Sequence, residues 1–157
     1  EVRERQVDTI NSVSRGRVNV VFIAVKQPNV RRAAEQASQI LAGVHGGVCI
    51  TLLNGLGHIE LFRNAFRNND VFGTLIHGVF TGGAHIETPG VVQHAGKGRL
   101  SLAVIGNDPD PLSQHLLDQV ATTLEASGIE THFVKHVQPL AWEKLCVNVA
   151  INALTAL

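Results

Sequence analysis

What this 157-residue chain lacks narrows its function before any motif is read. Thirteen basic and thirteen acidic side chains cancel, which leaves no electrostatic footprint for nucleic acid or an anionic membrane. No apolar run approaches the ~20 residues a membrane-spanning helix needs, and the N-terminus has no basic-then-apolar signal pattern. Cys49 and Cys146 are the only cysteines, both in apolar segments and without a Cys-x-x-Cys spacing. They are expected to be buried, reduced thiols of a cytoplasmic protein, and no disulfide framework is suggested. The eight histidines form no His-Glu-x-x-His motif. His132 and His136 are four apart but fall in an expected strand and turn, so no metal site is expected. Gly-x-Ser-x-Gly, a Cys/His nucleophile pattern and a convincing carboxylate pair are all missing, which removes the common hydrolytic chemistries. There is no internal repeat.

The composition, 45% apolar and 17% charged, is that of an ordinary globular domain with a core of its own. Residues 1–17 are polar and weakly periodic and read as a lead-in without function. Val18–Val25 is a β-branched run expected to be a strand buried on both faces of a parallel sheet. Pro28 then opens an amphipathic helix that ends near Gly43. Val48–Leu53 is a second buried strand, followed by Asn54-Gly55-Leu56-Gly57 and a helix over His58–Arg67. Strand, helix, strand, helix predicts parallel strands. Val71–Phe80 is the third strand. Glycine-rich turn signals between residues 81 and 98 then predict an antiparallel meander, ending with Leu100–Ile105 and closing one edge of the sheet. A helix over Leu112–Ser127, a short strand over Ile129–Lys135 and a last helix from Pro139 complete the pattern.

That last helix carries Lys144, Asn148 and Asn152 four residues apart in an apolar run. At 3.6 residues per turn they rise along one face as a polar ladder, with Leu145, Val149, Ala153 and Ala156 as a packing stripe. An ammonium and two amides are expensive to bury without hydrogen-bond partners, and a small polar substrate could supply them. The alternative is that Lys144 snorkels to solvent and the amides cap neighbouring turns.

In open α/β sheets ligands sit beyond the C-terminal strand ends. Here those ends carry Lys26, suited to a cofactor phosphate or ribose, and the Asn54-Gly55-x-Gly57 turn, whose backbone N–H groups can approach a ligand closely. A solvated lysine and an ordinary tight turn are the competing readings. His77 lies within a strand, either lining the cleft or hydrogen-bonded in the core.

Taken in order, V-F-I-A-V-K, L-L-N-G-L-G, G-T-L-I-H-G-V and W-E-K-L-C-V-N-V-A-I-N-A-L-T-A-L closely resemble the ketopantoate reductase family over about Val18 to Leu157. The resemblance implies NADPH-dependent reduction of 2-dehydropantoate to (R)-pantoate in pantothenate biosynthesis. It implies Lys144 as proton donor and Asn148 and Asn152 as substrate contacts. Lys26, Asn54 and the backbone of Val79 become cofactor contacts, with Asn54 close to the substrate as well. The chemistry agrees with the ladder, because hydride arriving at a 2-keto carbon leaves negative charge on oxygen that an ammonium can neutralise.

The fold implied is α/β, a Rossmann-like parallel sheet with an antiparallel edge meander, followed by the first helix of an all-α C-terminal domain. Residues 1–137 would form part of the NADP-binding domain and 138–157 the start of the substrate domain. The missing Gly-x-Gly-x-x-Gly strand and the cut in a helical pattern mark the chain as an expected fragment. The implied partner is a small 2-keto acid, with neither nucleic acid nor membrane, and a homodimer is compatible with the resemblance. Two rivals stand beside it: another hydroxyacid dehydrogenase, since Lys-x-x-x-Asn on a helix also serves the β-hydroxyacid dehydrogenases, and a non-catalytic truncated paralogue.

Overall fold

The computed structural model describes residues 18–155, apart from the side chains of Asn152, Leu154 and Thr155. The lead-in assigned to residues 1–17, and Ala156 of the packing stripe, lie outside the described residues. In chain order the elements are β1 (Val20–Ile23), a 3-10 turn (Gln27–Asn29), α1 (Val30–Leu41), β2 (Val48–Thr51), α2 (His58–Asn68) and β3 (Thr74–Phe80). They continue as β4 (Gly83–Thr88), β5 (Val91–Gly96), β6 (Arg99–Ile105), α3 (Pro111–Ala126), β7 (Glu130–Phe133) and α4 (Gln138–Thr155). Among the described residues no helix is long and apolar enough to cross a membrane.

Five strands form one mixed sheet in the order β1-β2-β3-β6-β7. β1, β2 and β3 are parallel, β6 runs antiparallel beside β3, and β7 is parallel to β6. Period-2 alternation divides each strand between two faces. Cys49 and Leu75 face α1 and α2, which contribute Val30, Ala34, Leu41 and Phe62 to one core. Val48, Ile50, Ile76, Leu100 and Leu102 face α3 and its Leu117. The start of α3 is fixed locally: the Asp110 side chain accepts hydrogen bonds from the backbone N–H groups of Leu112 and Ser113, meeting two of the helix's orphan donors.

Four details differ from expectation. β1 is the end strand of the described sheet, not one buried on both faces, and Phe22 is 45% exposed. Among the described residues it pairs with β2 alone, and of its four residues Ile23 alone is buried, so a continuous apolar run does not guarantee two covered faces. β3 begins at Thr74 rather than Val71, because residues 69–71 are still closing α2: Asp70 has φ 49° and the Val71 N–H donates to the Phe66 carbonyl. The antiparallel component divides in two. β4 and β5 pair only with each other as a separate, fully exposed hairpin, while β6 enters the main sheet between β3 and β7. Lastly, Cys49 is buried but Cys146 is exposed on the outer side of α4, as is much of the expected packing stripe, with Val149 at 60% exposure. Near its start α4 rests on the sheet through Ala141, with Val137 just before the helix, against Val79 and Ala103.

Candidate active site

Three segments distant in sequence meet where the parallel strands end. β2 runs into the turn Asn54–Gly57, which Gly55 and Gly57 make with φ of 89° and 85°, a left-handed region that favours glycine. Nothing lies within 4 Å of where a Cβ would stand at either glycine, so this turn presents bare backbone. β3 brings Val79, and α4 lies across it. Ala141, Lys144 and Asn148 share one face of α4 by helical spacing. Leu53, Asn54, Gly55, Val79, Lys144 and Asn148 are among the residues around a single small cavity.

Lys144 is half-buried and donates from Nζ to the carbonyl oxygen of Phe80, 2.5 Å away. Burial lowers its pKa from the ordinary lysine value, which brings an ammonium closer to the range of a useful proton donor. It therefore does not extend freely into solvent as a snorkelling surface lysine would. Asn148 is half-buried beside it. The side chain of Asn152 lies outside what the structure describes. Lys26 and Asn54 are exposed and share a neighbouring hollow of about 380 Å³ with Val25, Gln27 and Leu52. Of the positions expected to contact cofactor, Lys26 and Asn54 share this hollow, whereas Val79 lies with Lys144 and Asn148 around the small cavity, and Asn54 borders both.

On the other side of Lys144 a cleft of about 1120 Å³ opens between α4 and the sheet. Its floor is a cross-strand row that a motif search does not reveal. Val79 pairs with Ser101, and Ser101 with His132. In the next row Arg99 pairs with Glu130; the Arg99 Nε lies 3.2 Å from a Glu130 oxygen, which is also 2.7 Å from His132 Nε2. These contacts hold the Glu130 carboxyl below its ordinary pKa, through His132 first and then Arg99. Alternation in Arg99-Leu100-Ser101-Leu102 was the available signal. The Phe80 carbonyl has no side-chain signature at all. His77 is a core residue, and its ring stacks edge-to-face on that of His58, centroids 4.8 Å apart. Among the described residues no group of three His, Cys, Asp or Glu side chains is placed to hold a metal ion.

The family model described as ketopantoate reductase PanE/ApbA matches residues 2–107. The chain belongs to the ketopantoate reductase family. It is 28% identical over 152 residues to the 2-dehydropantoate 2-reductase of Pyrococcus abyssi, an alignment covering 97% of this chain and 46% of that protein. The solved 2-dehydropantoate 2-reductase from Geobacter metallireducens superposes with a TM-score of 0.68 at 25% identity, over 87% of this chain and 42% of the other. A D-mandelate dehydrogenase solved with NADH gives the same TM-score of 0.68 at 22% identity, over 87% of this chain and 43% of that one, and that likeness shows the fold alone. The chain spans less than half the length of these relatives.

Proposed function

We propose that this chain supplies part of an NADPH-dependent reductase that converts 2-dehydropantoate to (R)-pantoate, one step of pantothenate biosynthesis in the cytoplasm. In this reading residues 1–137 belong to the nucleotide-binding unit and residues 138–157 open the helical substrate unit. The observation that carries it is the meeting of Asn54, Val79, Lys144 and Asn148 around one cavity at the strand ends.

The residues present fit a nicotinamide dinucleotide. Lys26 offers a cation to phosphate or ribose, the open backbone at Gly55 and Gly57 admits close approach, and Asn54 offers a directional amide. When bound, the cofactor supplies the hydride. The chain's own residues do the rest. Lys144 donates a hydrogen bond to the keto oxygen, neutralises the charge that develops there and delivers the proton that completes the alcohol. The Phe80 carbonyl aims the ammonium. Asn148, and Asn152 by its place on the ladder, hold substrate oxygens without adding a titrating group.

The test is an absorbance assay of NADPH oxidation by the full-length protein, with 2-dehydropantoate compared against benzoylformate, and NADPH against NADH. Turnover specific to 2-dehydropantoate with NADPH supports the reading. Preference for benzoylformate with NADH would reassign the chain to another hydroxyacid dehydrogenase, and no turnover with any pair would favour the non-catalytic paralogue.

A further inference from the structure

His58 and His77 are 1% and 4% exposed, and their rings meet at 4.8 Å and 88°. Among the described residues neither ring nitrogen of His58, nor Nε2 of His77, has a hydrogen-bond partner. Buried polar atoms in native proteins are nearly always paired, and each exception asks for an explanation. Two phenylalanines would fill the same space and keep the edge-to-face contact without leaving nitrogens bare. Something other than packing favours imidazole here.

Their place in the fold supplies it. His77 is fixed in the middle of the sheet, paired with Thr51 on one side and Ala103 on the other, two residues before Val79. His58 is the first residue of α2 and follows directly on Gly57. The pair therefore joins a rigid strand to the end of the Asn54–Gly57 turn. That turn is loosely held, with two left-handed glycines in open space and an exposed Asn54 whose side chain has no hydrogen-bond partner among the described residues. An asparagine amide has two ends. Its NH₂ can donate to a bare imidazole nitrogen while its oxygen accepts from a ligand.

We propose that His58 and His77 are positioning residues for Asn54: as the turn settles on the cofactor, the amide of Asn54 swings inward and donates to one of the bare imidazole nitrogens. This rests on reading Asn54 as a cofactor contact. Burial depresses the basicity of both rings, so they present acceptor nitrogens rather than cations.

The experiment uses full-length protein labelled with ¹⁵N at histidine and titrated with NADPH. The expected result is that an unprotonated-nitrogen resonance of His58 or His77 moves on saturation in the wild type and stays in place in Asn54→Ala. In parallel, His58→Phe and His77→Phe should melt no lower than wild type, because bare buried nitrogens are removed, yet bind NADPH about tenfold more weakly, the effect of one lost hydrogen bond. Resonances that stay fixed while NADPH saturates, or Phe variants that bind as wild type does, overturn the proposal. If Asn54→Ala also binds like wild type, the reading of Asn54 fails and the proposal with it. If Asn54→Ala binds weakly while the Phe variants do not, only the positioning role is lost. Should a Phe variant fail to fold, the resonances of the unsubstituted protein decide.

Discussion

The ammonium of Lys144 donates to the backbone carbonyl of Phe80, 64 positions earlier in the chain and 2.5 Å away in space. This bond ties α4 to the end of β3 and gives the cation a fixed direction over the cavity it shares with Asn54 and Asn148. On the proposed function, Lys144→Ala removes proton donor and oxyanion partner together. General acid catalysis is typically worth ~10²–10⁴ in rate, so kcat in the full-length protein should fall at least about a hundredfold. NADPH affinity should hold, since Lys26 and Asn54 lie in the adjoining hollow. Steady-state kinetics within about fivefold of wild type would end the catalytic assignment.

Asn148 stands one helical turn beyond Lys144 and lines the same two cavities. On the proposed function it contributes a positioning bond, not a transferred proton. Asn148→Ala should raise the KM for the keto acid about tenfold and lower kcat less than Lys144→Ala does. A change in kcat alone, with KM unmoved, would show that Asn148 acts on the chemical step instead.

His77 predicts how the fold responds to acid. Burial first, and then the neighbouring His58, lower its pKa from 6.5 to about 4. Between those values the unfolded chain binds the proton and the folded chain does not. Titration of this group thus costs the fold nothing above pH 6.5, lowers its stability as pH falls through the window, and reaches its full cost below about 4. At about 1.4 kcal/mol per pKa unit the loss reaches up to about 3 kcal/mol. Burial lowers the pKa of His58 as well, adding in the same direction. Urea unfolding midpoints across this range should show the decline, and His77→Phe should flatten it. An unchanged slope in the variant would place the acid sensitivity elsewhere.

Much of this arrangement was legible in the residues. The β-branched runs, glycine turns and helical periodicities located every major element, because each is encoded by neighbours in sequence. The ladder on α4 and the Asn54 turn were visible for the same reason. Strand order was not: whether β6 closes an edge or enters the sheet depends on pairing between Leu75–Phe80 and Leu100–Ile105, which no local pattern records. The acceptor for Lys144 is a backbone carbonyl, identical at every residue. The His58–His77 contact joins a histidine noted only for its place in a strand to one with no local signal, and nothing in sequence links them.

The packing stripe on α4 is the largest departure from expectation, and it makes a prediction of its own. Trp142 and Val149, at 56% and 60% exposure, stand seven residues apart and share one side of α4 with the exposed Cys146 and Ala153. Contiguous apolar surface of this kind on a helix marks a face that takes a partner, and each Å² covered returns about 25 cal/mol. The 157-residue chain on its own should therefore self-associate through α4. Sedimentation velocity should show a concentration-dependent shift to dimer or larger species, and Trp142→Glu with Val149→Lys should restore a monomer with unchanged circular dichroism. If the doubly substituted chain still associates, the exposed hairpin of β4 and β5, which carries Ile86 and Val92, becomes the surface responsible.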